Sequence, residues 1–374
     1  MLNSNGQGSN GLPAAGRDAV LRLVIPSDGE LYEPTLNYLG SCGLSVRRPS
    51  ARRYTATIPA LPGVEVLFQR SADVTTKVEE GSAELGITGL DRYLEYRADE
   101  RKVVSLMDDL GYGRCDFVLA VPDAWLDVSS IDDLADLALE FRQEGKQIRI
   151  ATKYPRLLRE YLFRRGINYF TLVAVSGALE AAPVGGYADL IADLTATGTT
   201  LRENRLKTLE GGTILSSQSC LIGNTTTLMQ SKESLRLARE FVEMLEAHVR
   251  AEPYYRLTAN VRGVSAEEVS ATVLSRPEVS GLRGPTIARV YNVAEQDWYA
   301  VSLLVRKDRL MEAVDHLRDC GGIEISASQL SYLFKGDSSV FGRLFESGDS
   351  DDTRRPDEPA TYAVGQFPGE MGGK

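Results

Sequence analysis

The pattern of hydrophobic and polar positions divides the chain into short apolar runs separated by amphipathic stretches. "VLRLVIPS" (20–27) reads as a buried strand, "YEPTLNYLGSCG" (32–43) as a helix closing on glycine, and "VEVLFQR" (64–70) as a second strand. "VTTKVEEGSA" (74–83) then reads as a helix and "LGITG" (85–89) as a strand. A second series repeats the logic. "DFVLAVP" (116–122) is a strand, Ile131 to Gly145 a helix, "QIRIAT" (147–152) a strand, and "PRLLREYLFRRG" (155–166) a helix with proline in its first turn and glycine at its end. "FTLVAVSG" (170–177) follows as another strand. Strands alternating with helices predict an α/β fold whose parallel sheets are covered on both faces. No segment repeats at a fixed period.

Further along, "SKESLRLAREFVEMLEAHVR" (231–250) is a long amphipathic helix with Leu237, Phe241 and Leu245 on one face, and it reads as a spacer. From Thr286 the pattern is strand "IARVYN", strand "WYAVSLLVR", helix "KDRLMEAVDHLRDCGG" and strand "IEISAS", a small α+β unit. Residues 1–18, rich in Gly, Ser and Asn, and 347–374, rich in Asp, Pro and Gly, read as disordered extensions.

Composition narrows the function classes. A chain of 374 residues with 43% hydrophobic and 25% charged residues has room for two or three cores. Its net charge of -10 argues against a general nucleic-acid binder, which needs a clustered positive surface. Cys42, Cys115, Cys220 and Cys320 are widely spaced and form no C-x-x-C pair, so they predict reduced thiols rather than a zinc site or disulfide framework. There is no apolar run of about 18 residues and no apolar segment in the N-terminal stretch, so neither a membrane span nor a secretory signal is expected. The expected compartment is the cytoplasm. Only His248 and His316 occur, both in helical patterns among charged neighbours, where surface positions are expected. Chemistry built on a histidine triad is therefore not expected.

The stretch "YADLIADLTATGTTLREN" (187–204) carries the most chemistry. "ADLIADL" is a strand, "TATGTT" a loop of small residues and hydroxyls, and "TLRENRL" a helix beginning at Thr199 or Thr200. A strand feeding through small residues into a helix N-terminus turns several amides toward one point, and phosphate suits such a point. Gly198 lets the backbone approach an oxygen, Thr197, Thr199 and Thr200 offer hydroxyls, and Asp193 can face ribose hydroxyls or a Mg²⁺ shell. The same residues also form an ordinary strand-to-helix turn with a threonine N-cap, and spacing alone does not separate the two.

The chain resembles the ATP phosphoribosyltransferase family, long form, over roughly Leu21 to Ala327. The resemblance lies in "LPGVEVLFQRSADVTTKVEEGSAELGITGLD", "LGYGRCDFVLAVP", "ATKYPRLLREYLFRRGI" and "SGALEAAPVGGYADLIADLTATGTTLREN". It implies a two-lobed core like a type II periplasmic binding protein, followed by a ferredoxin-like (ACT-like) regulatory domain. On that basis residues 19–117 with 204–228 form the first lobe, 118–203 the second, 229–283 linker helices and 284–346 the C-terminal domain. It implies phosphoribosyl transfer from phosphoribosyl pyrophosphate to the adenine N1 of ATP, the first step of histidine biosynthesis. It also implies Mg²⁺, feedback inhibition by histidine, and a homo-oligomer, dimer or hexamer.

Carried over by position, the resemblance implies that Asp193, Thr195, Ala196, Thr197, Gly198, Thr199 and Thr200 hold the ribose phosphate. Glu180 and Asp193 are the implied catalytic acids, with Mg²⁺ held through one of them. Arg70, Thr88, Gly89, Asp91, Lys153 and Tyr154 are the implied nucleotide contacts in the cleft, and Thr286 and Leu304 the implied histidine pocket. Two positions depart from the family pattern. The turn after the first strand is "SDGEL", with Ser27, Asp28 and Glu30 where a basic turn is usual, and Asp116 stands where an arginine usually follows "GRC". Acid at these places predicts a clash with polyphosphate oxygens, and it keeps open the alternative of a paralogue that senses a ligand or uses another nucleotide.

Overall fold

The structure is a computed structural model describing residues 21–336 apart from 51, 176 and 292–296. The extensions expected over 1–18 and 347–374 lie outside the described residues.

The chain begins with β1 (Leu21–Pro26), α1 (Tyr32–Ser41), β2 (Thr55–Thr57), β3 (Val64–Gln69), α2 (Val74–Glu79), β4 (Leu85–Gly89), α3 (Leu90–Tyr96) and β5 (Val103–Met107). It then crosses to a second unit of β6 (Cys115–Pro122), α4 (Ile131–Gln143), β7 (Ile148–Thr152), α5 (Pro155–Arg164), β8 (Phe170–Ala174), β9 (Leu190–Thr195), α6 (Thr199–Glu203) and β10 (Leu206–Ser217). A return crossing at Gln218 leads into β11 (Ser219–Asn224), α7 (Thr225–Met229) and α8 (Lys232–Ala251). The last unit is β12 (Tyr254–Arg262), α9 (Ala266–Val273), β13 (Thr286–Val290), β14 (Trp298–Arg306), α10 (Leu310–Asp319) and β15 (Ile323–Gln329).

The first sheet runs β2-β3-β1-β4-β11-β5 and the second β10-β6-β9-β7-β8. In the first, β1 is parallel to β3 and β4, while β11 lies antiparallel between β4 and β5. In the second, β7 is parallel to β8 and β9, while β6 lies antiparallel between β9 and β10. Each sheet thus accepts one antiparallel strand arriving from the other lobe, which is the type II periplasmic-binding-protein arrangement. The two crossings form a hinge, and the carboxyl ends of the parallel strands face one crevice, where ligands of open α/β sheets bind.

Three boundaries differ from the sequence reading. Strand β10 pairs with β6, so residues 206–217 extend the second sheet and not the first. The helix read as a spacer, α8, buries Leu237, Phe241 and Leu245 in the first-lobe core with Leu21, Leu23 and Phe68. The C-terminal unit starts near Tyr254 and not at 284, because β12 sits between β14 and β15 in the sheet β13-β14-β12-β15. That unit follows the strand-helix-strand-strand-helix-strand order of a ferredoxin-like fold and centres on Leu257, Ala259, Val261, Val301 and Leu303.

Neither histidine is the plain surface residue expected. His316 is buried, and its Nε2 lies 2.8 Å from the Val273 carbonyl oxygen. The helix face Ala313, His316, Leu317 turns inward although its sequence neighbours are charged. His248 is half-buried between the Tyr38 and Tyr332 rings. After β15 the chain folds back onto the first lobe. The Tyr332 hydroxyl donates to the Cys42 carbonyl at 2.8 Å and the Leu333 amide to the Ala247 carbonyl at 2.9 Å. Gly43 is required beside Tyr332, since its φ is +71° and a Cβ there would collide with the tyrosine hydroxyl. No helix among the described residues is long and apolar enough to cross a membrane.

Candidate active-site cleft

Between the lobes lies a cavity of about 650 Å³. The second lobe supplies most of the expected residues. Glu180 stands on a single 3₁₀ turn (Leu179–Ala181), Asp193 near the end of β9, and Thr195, Ala196, Thr197, Thr199 and Thr200 on the loop into α6; all line the cavity. Gly198 is the N-cap of α6 with φ +69°, the left-handed conformation that glycine adopts without strain. Its amide donates to the Thr195 hydroxyl at 2.9 Å, and the Thr197 and Thr199 hydroxyls lie 2.9 Å apart. The loop is held in shape by its own hydroxyls.

The first lobe supplies Gly89 and Asp91, from the junction of β4 and α3. Asp91 is buried, with Oδ1 accepting from Ser217 at 2.7 Å and Oδ2 from Tyr154 at 2.7 Å. Tyr154 caps α5 in the second lobe and Ser217 ends β10, so one carboxyl joins both lobes and the hinge. Gly89 needs its missing side chain, because a Cβ there would collide with Asp91 Oδ1. Glu95 adds a second link by accepting the Arg156 and Leu157 amides of α5 at 2.9 and 3.0 Å. It satisfies a helix N-terminus from across the interface.

Electrostatics single out Asp193. Burial pushes its carboxyl above the ordinary range and the Glu180 charge acts in the same direction, while the Leu194 amide, Lys153 and Arg92 oppose them. Burial and Asp91 likewise raise the Tyr154 phenol, leaving it a proton donor at neutral pH. Burial, followed by Asp91, pushes the Cys115 thiol up to about 11, so this wall residue is no thiolate. Among the described residues no group of three or more His, Cys, Asp or Glu is placed to cage a metal. Glu180 and Asp193 do share the wall, and that pair suits Mg²⁺, which takes one or two carboxylates and draws its remaining ligands from substrate oxygens and water.

Several expectations fail. Arg70 is exposed and off the cavity wall, where its neighbour Ser71 stands instead. Thr88 is fully buried behind the wall, and among the described residues its hydroxyl has no partner. Asp116 is exposed and accepts from the Ser216 hydroxyl at 2.7 Å, outside the cavity. Asp28 is likewise off the wall, and the acid of that turn which faces the cavity is Glu30. The feared conflict with polyphosphate is therefore confined to one residue of the first turn. Missed altogether was Arg92, a wall cation whose guanidinium lies 4.9 Å over the Tyr154 ring. Its position on α3, one residue after Asp91, was the available signal.

A second cavity, of about 640 Å³, lies in the C-terminal unit and includes both Thr286 and Leu304. Ser302 and the cations Arg250, Arg256 and Arg283 also line it, as does Leu333 from the segment that docks on the first lobe.

The chain has named relatives among known proteins. The chain matches the family model described as ATP phosphoribosyltransferase over residues 70–247 and the one described as HisG, C-terminal domain, over 251–332. It is 37% identical over 353 residues to ATP phosphoribosyltransferase 1, chloroplastic, of Arabidopsis thaliana, spanning 92% of this chain and 85% of that protein. It is 33% identical over 326 residues to the ATP phosphoribosyltransferase of Bradyrhizobium sp. (strain ORS 278), spanning 87% and 97%. Among solved structures, the ATP phosphoribosyl transferase (HisG:HisZ) complex from Thermotoga maritima superposes with a TM-score of 0.47 at 26% identity, over 60% of this chain and 96% of that one. With its two-lobed core, its threonine-rich loop and relatives matched over most of their length, this chain belongs to the ATP phosphoribosyltransferase family.

Proposed function

We infer that the cleft transfers a phosphoribosyl group from phosphoribosyl pyrophosphate to ATP. Adenine N1 attacks the anomeric carbon, the bond from that carbon to the diphosphate oxygen breaks, and phosphoribosyl-ATP and pyrophosphate result. The observation that carries this reading is the union, in one cavity, of the Thr195–Thr200 loop with Glu180 and Asp193 and with the first-lobe wall around Asp91. Adenine N1 attacks with its own lone pair, so no side chain has to activate it, and a cleft lined by no histidine among the described residues suits the reaction. What the reaction needs is stabilisation of charge at the breaking bond.

In this reading the loop hydroxyls and amides hold the ribose phosphate, and Gly198 gives the chain its close approach. Glu180 and Asp193 face the ribose, where their negative charge favours the cationic character that develops at the anomeric carbon. Glu180 or Asp193 would hold Mg²⁺, which when bound neutralises the departing diphosphate. Thr286 and Leu304 belong to the pocket for histidine as feedback inhibitor. The protein acts in the cytoplasm as a dimer or hexamer.

The test is pyrophosphate release with ATP and phosphoribosyl pyrophosphate. Wild-type protein turns over, and Asp193→Ala is slower by about 100-fold or more. A wild-type protein that binds nucleotide or histidine by calorimetry yet releases no pyrophosphate is instead a sensor built on the same lobes.

A further inference from the structure

Among the described residues, three cations stand on the cleft wall: Arg92, Arg114 and Lys153. Arg114 has a side chain 73% exposed and engages Asp109 at 2.8 Å, and Lys153 is exposed. Arg92 is held differently. Its side chain is 24% exposed, its Cζ lies 4.9 Å from the centroid of the Tyr154 ring, and its Nε lies 3.7 Å from Asp91 Oδ2. Among the described residues its guanidinium makes no hydrogen bond; it has that ion pair, the ring contact and an attraction to the Asp193 carboxyl.

A guanidinium carries five N–H donors in a fixed fork. On the cavity wall and not sealed from solvent, these donors are served by water until an anion replaces it. The supports on either side are rigid, because Asp91 is fixed by Ser217 and Tyr154, and Tyr154 is itself buried. The fork is thus oriented before any ligand arrives, which lowers the entropy lost on binding. The charges around it decide the kind of ligand. Glu30, Asp91, Glu180 and Asp193 make the wall acidic, so a multiply charged anion is seated only beside a cation that offsets them. The phosphoribosyl donor is anionic at both ends. The Thr195–Thr200 loop of the second lobe suits one end, and Arg92, on the first lobe, is placed for the other.

We propose that Arg92 binds the diphosphate of the phosphoribosyl donor, with its fork pre-set by stacking on Tyr154 and pairing with Asp91. This assignment rests on the phosphoribosyl-transfer reading and names the group that receives the leaving anion. It also accounts for how a cleft with an acidic first turn accepts polyphosphate.

The experiment titrates wild type, Arg92→Gln and Arg92→Lys with magnesium pyrophosphate by calorimetry and measures KM for each substrate. Arg92→Gln weakens pyrophosphate by about 10- to 100-fold and raises KM for phosphoribosyl pyrophosphate in step, the expected loss for a charge-assisted pair. KM for ATP stays within about twofold. Arg92→Lys keeps the charge but not the fork, so it recovers only part of the affinity. Pyrophosphate binding equal to wild type in both variants overturns the proposal, as does a rise in KM for ATP alone. A wild-type protein that binds pyrophosphate through Arg92 but makes no product refutes the transferase reading and leaves the Arg92 assignment standing.

Discussion

The hydroxyl of Tyr154, in the second lobe, donates to Asp91 Oδ2, in the first, at 2.7 Å, and both residues are buried. The bond closes the floor of the cleft beside the hinge, where Ser217 holds the other oxygen of the same carboxyl. Tyr154→Phe keeps the ring under Arg92 and removes only the hydrogen bond. Urea unfolding should show a loss of about 1–3 kcal/mol, the cost of an acid left short of a buried donor. Small-angle scattering should report a larger radius of gyration as the lobes part more freely. A variant matching wild type in both measurements would show that the bond does not hold the lobes together.

Asp193 illustrates a conflict between stability and function. Its folded-state pKa lies above the ordinary value, chiefly through burial. As pH rises from the ordinary carboxylate range toward the raised value, the unfolded chain releases this proton first, and stability falls. At neutral pH the charge is therefore a burden on the fold. Asp193→Asn should unfold at higher urea than wild type at pH 7, the gain fading in acid where both states carry the proton, while turnover collapses. Equal urea midpoints at pH 7 would contradict the assigned environment.

Alanine at Gly198 and at Gly89 should fail for different reasons. At Gly198 an alanine must adopt φ +69°, at a cost of about 1–2 kcal/mol, while the neighbour it meets is only the flexible end of Arg202. Gly198→Ala should raise KM for the phosphoribosyl donor through a reshaped loop. Gly89 has φ −76°, so the backbone accepts alanine, but the new methyl displaces Asp91 from Ser217 and Tyr154. Gly89→Ala combined with Tyr154→Phe should therefore cost less than the two single changes added together. Strict additivity would separate the two sites.

In the C-terminal cavity, Thr286→Trp places an indole in the space proposed for histidine. Inhibition by histidine should disappear while turnover without histidine is retained. Inhibition persisting at the wild-type concentration would move the histidine site elsewhere.

The two lobes were legible because their strands are short apolar runs bounded by glycine and proline. Strand β10 was not, since "LKTLEGGTILSS" is broken by Gly211 and Gly212 and its pairing with β6 shifts register there. Strand β12 does alternate, burying Leu257, Ala259 and Val261, but it was overlooked beside the strong helical signal of α8. Much of the second-lobe wall was readable because one loop, from Thr195 to Thr200, carries it, with Glu180 on a separate turn. The first-lobe half depends on distant partners: Asp91 gains its role only when Tyr154 and Ser217 arrive, and Arg92 looks like any surface helix arginine until Tyr154 lies beneath it. Arg70 misled for the complementary reason. Its place after β3 points toward the crevice, yet the neighbouring backbone turns Ser71 to the wall.

The returning segment around Tyr332 makes the C-terminal sheet more than a pendant module. With its ring beside His248 and its hydroxyl on the Cys42 carbonyl, Tyr332 packs onto the first lobe. Leu333, its neighbour, belongs at once to the wall of the second cavity and to a hydrogen bond with α8. A chain cut just after β15 would lose part of the catalytic lobe's own outer surface, so trimming away the sheet damages the unit it was meant to liberate.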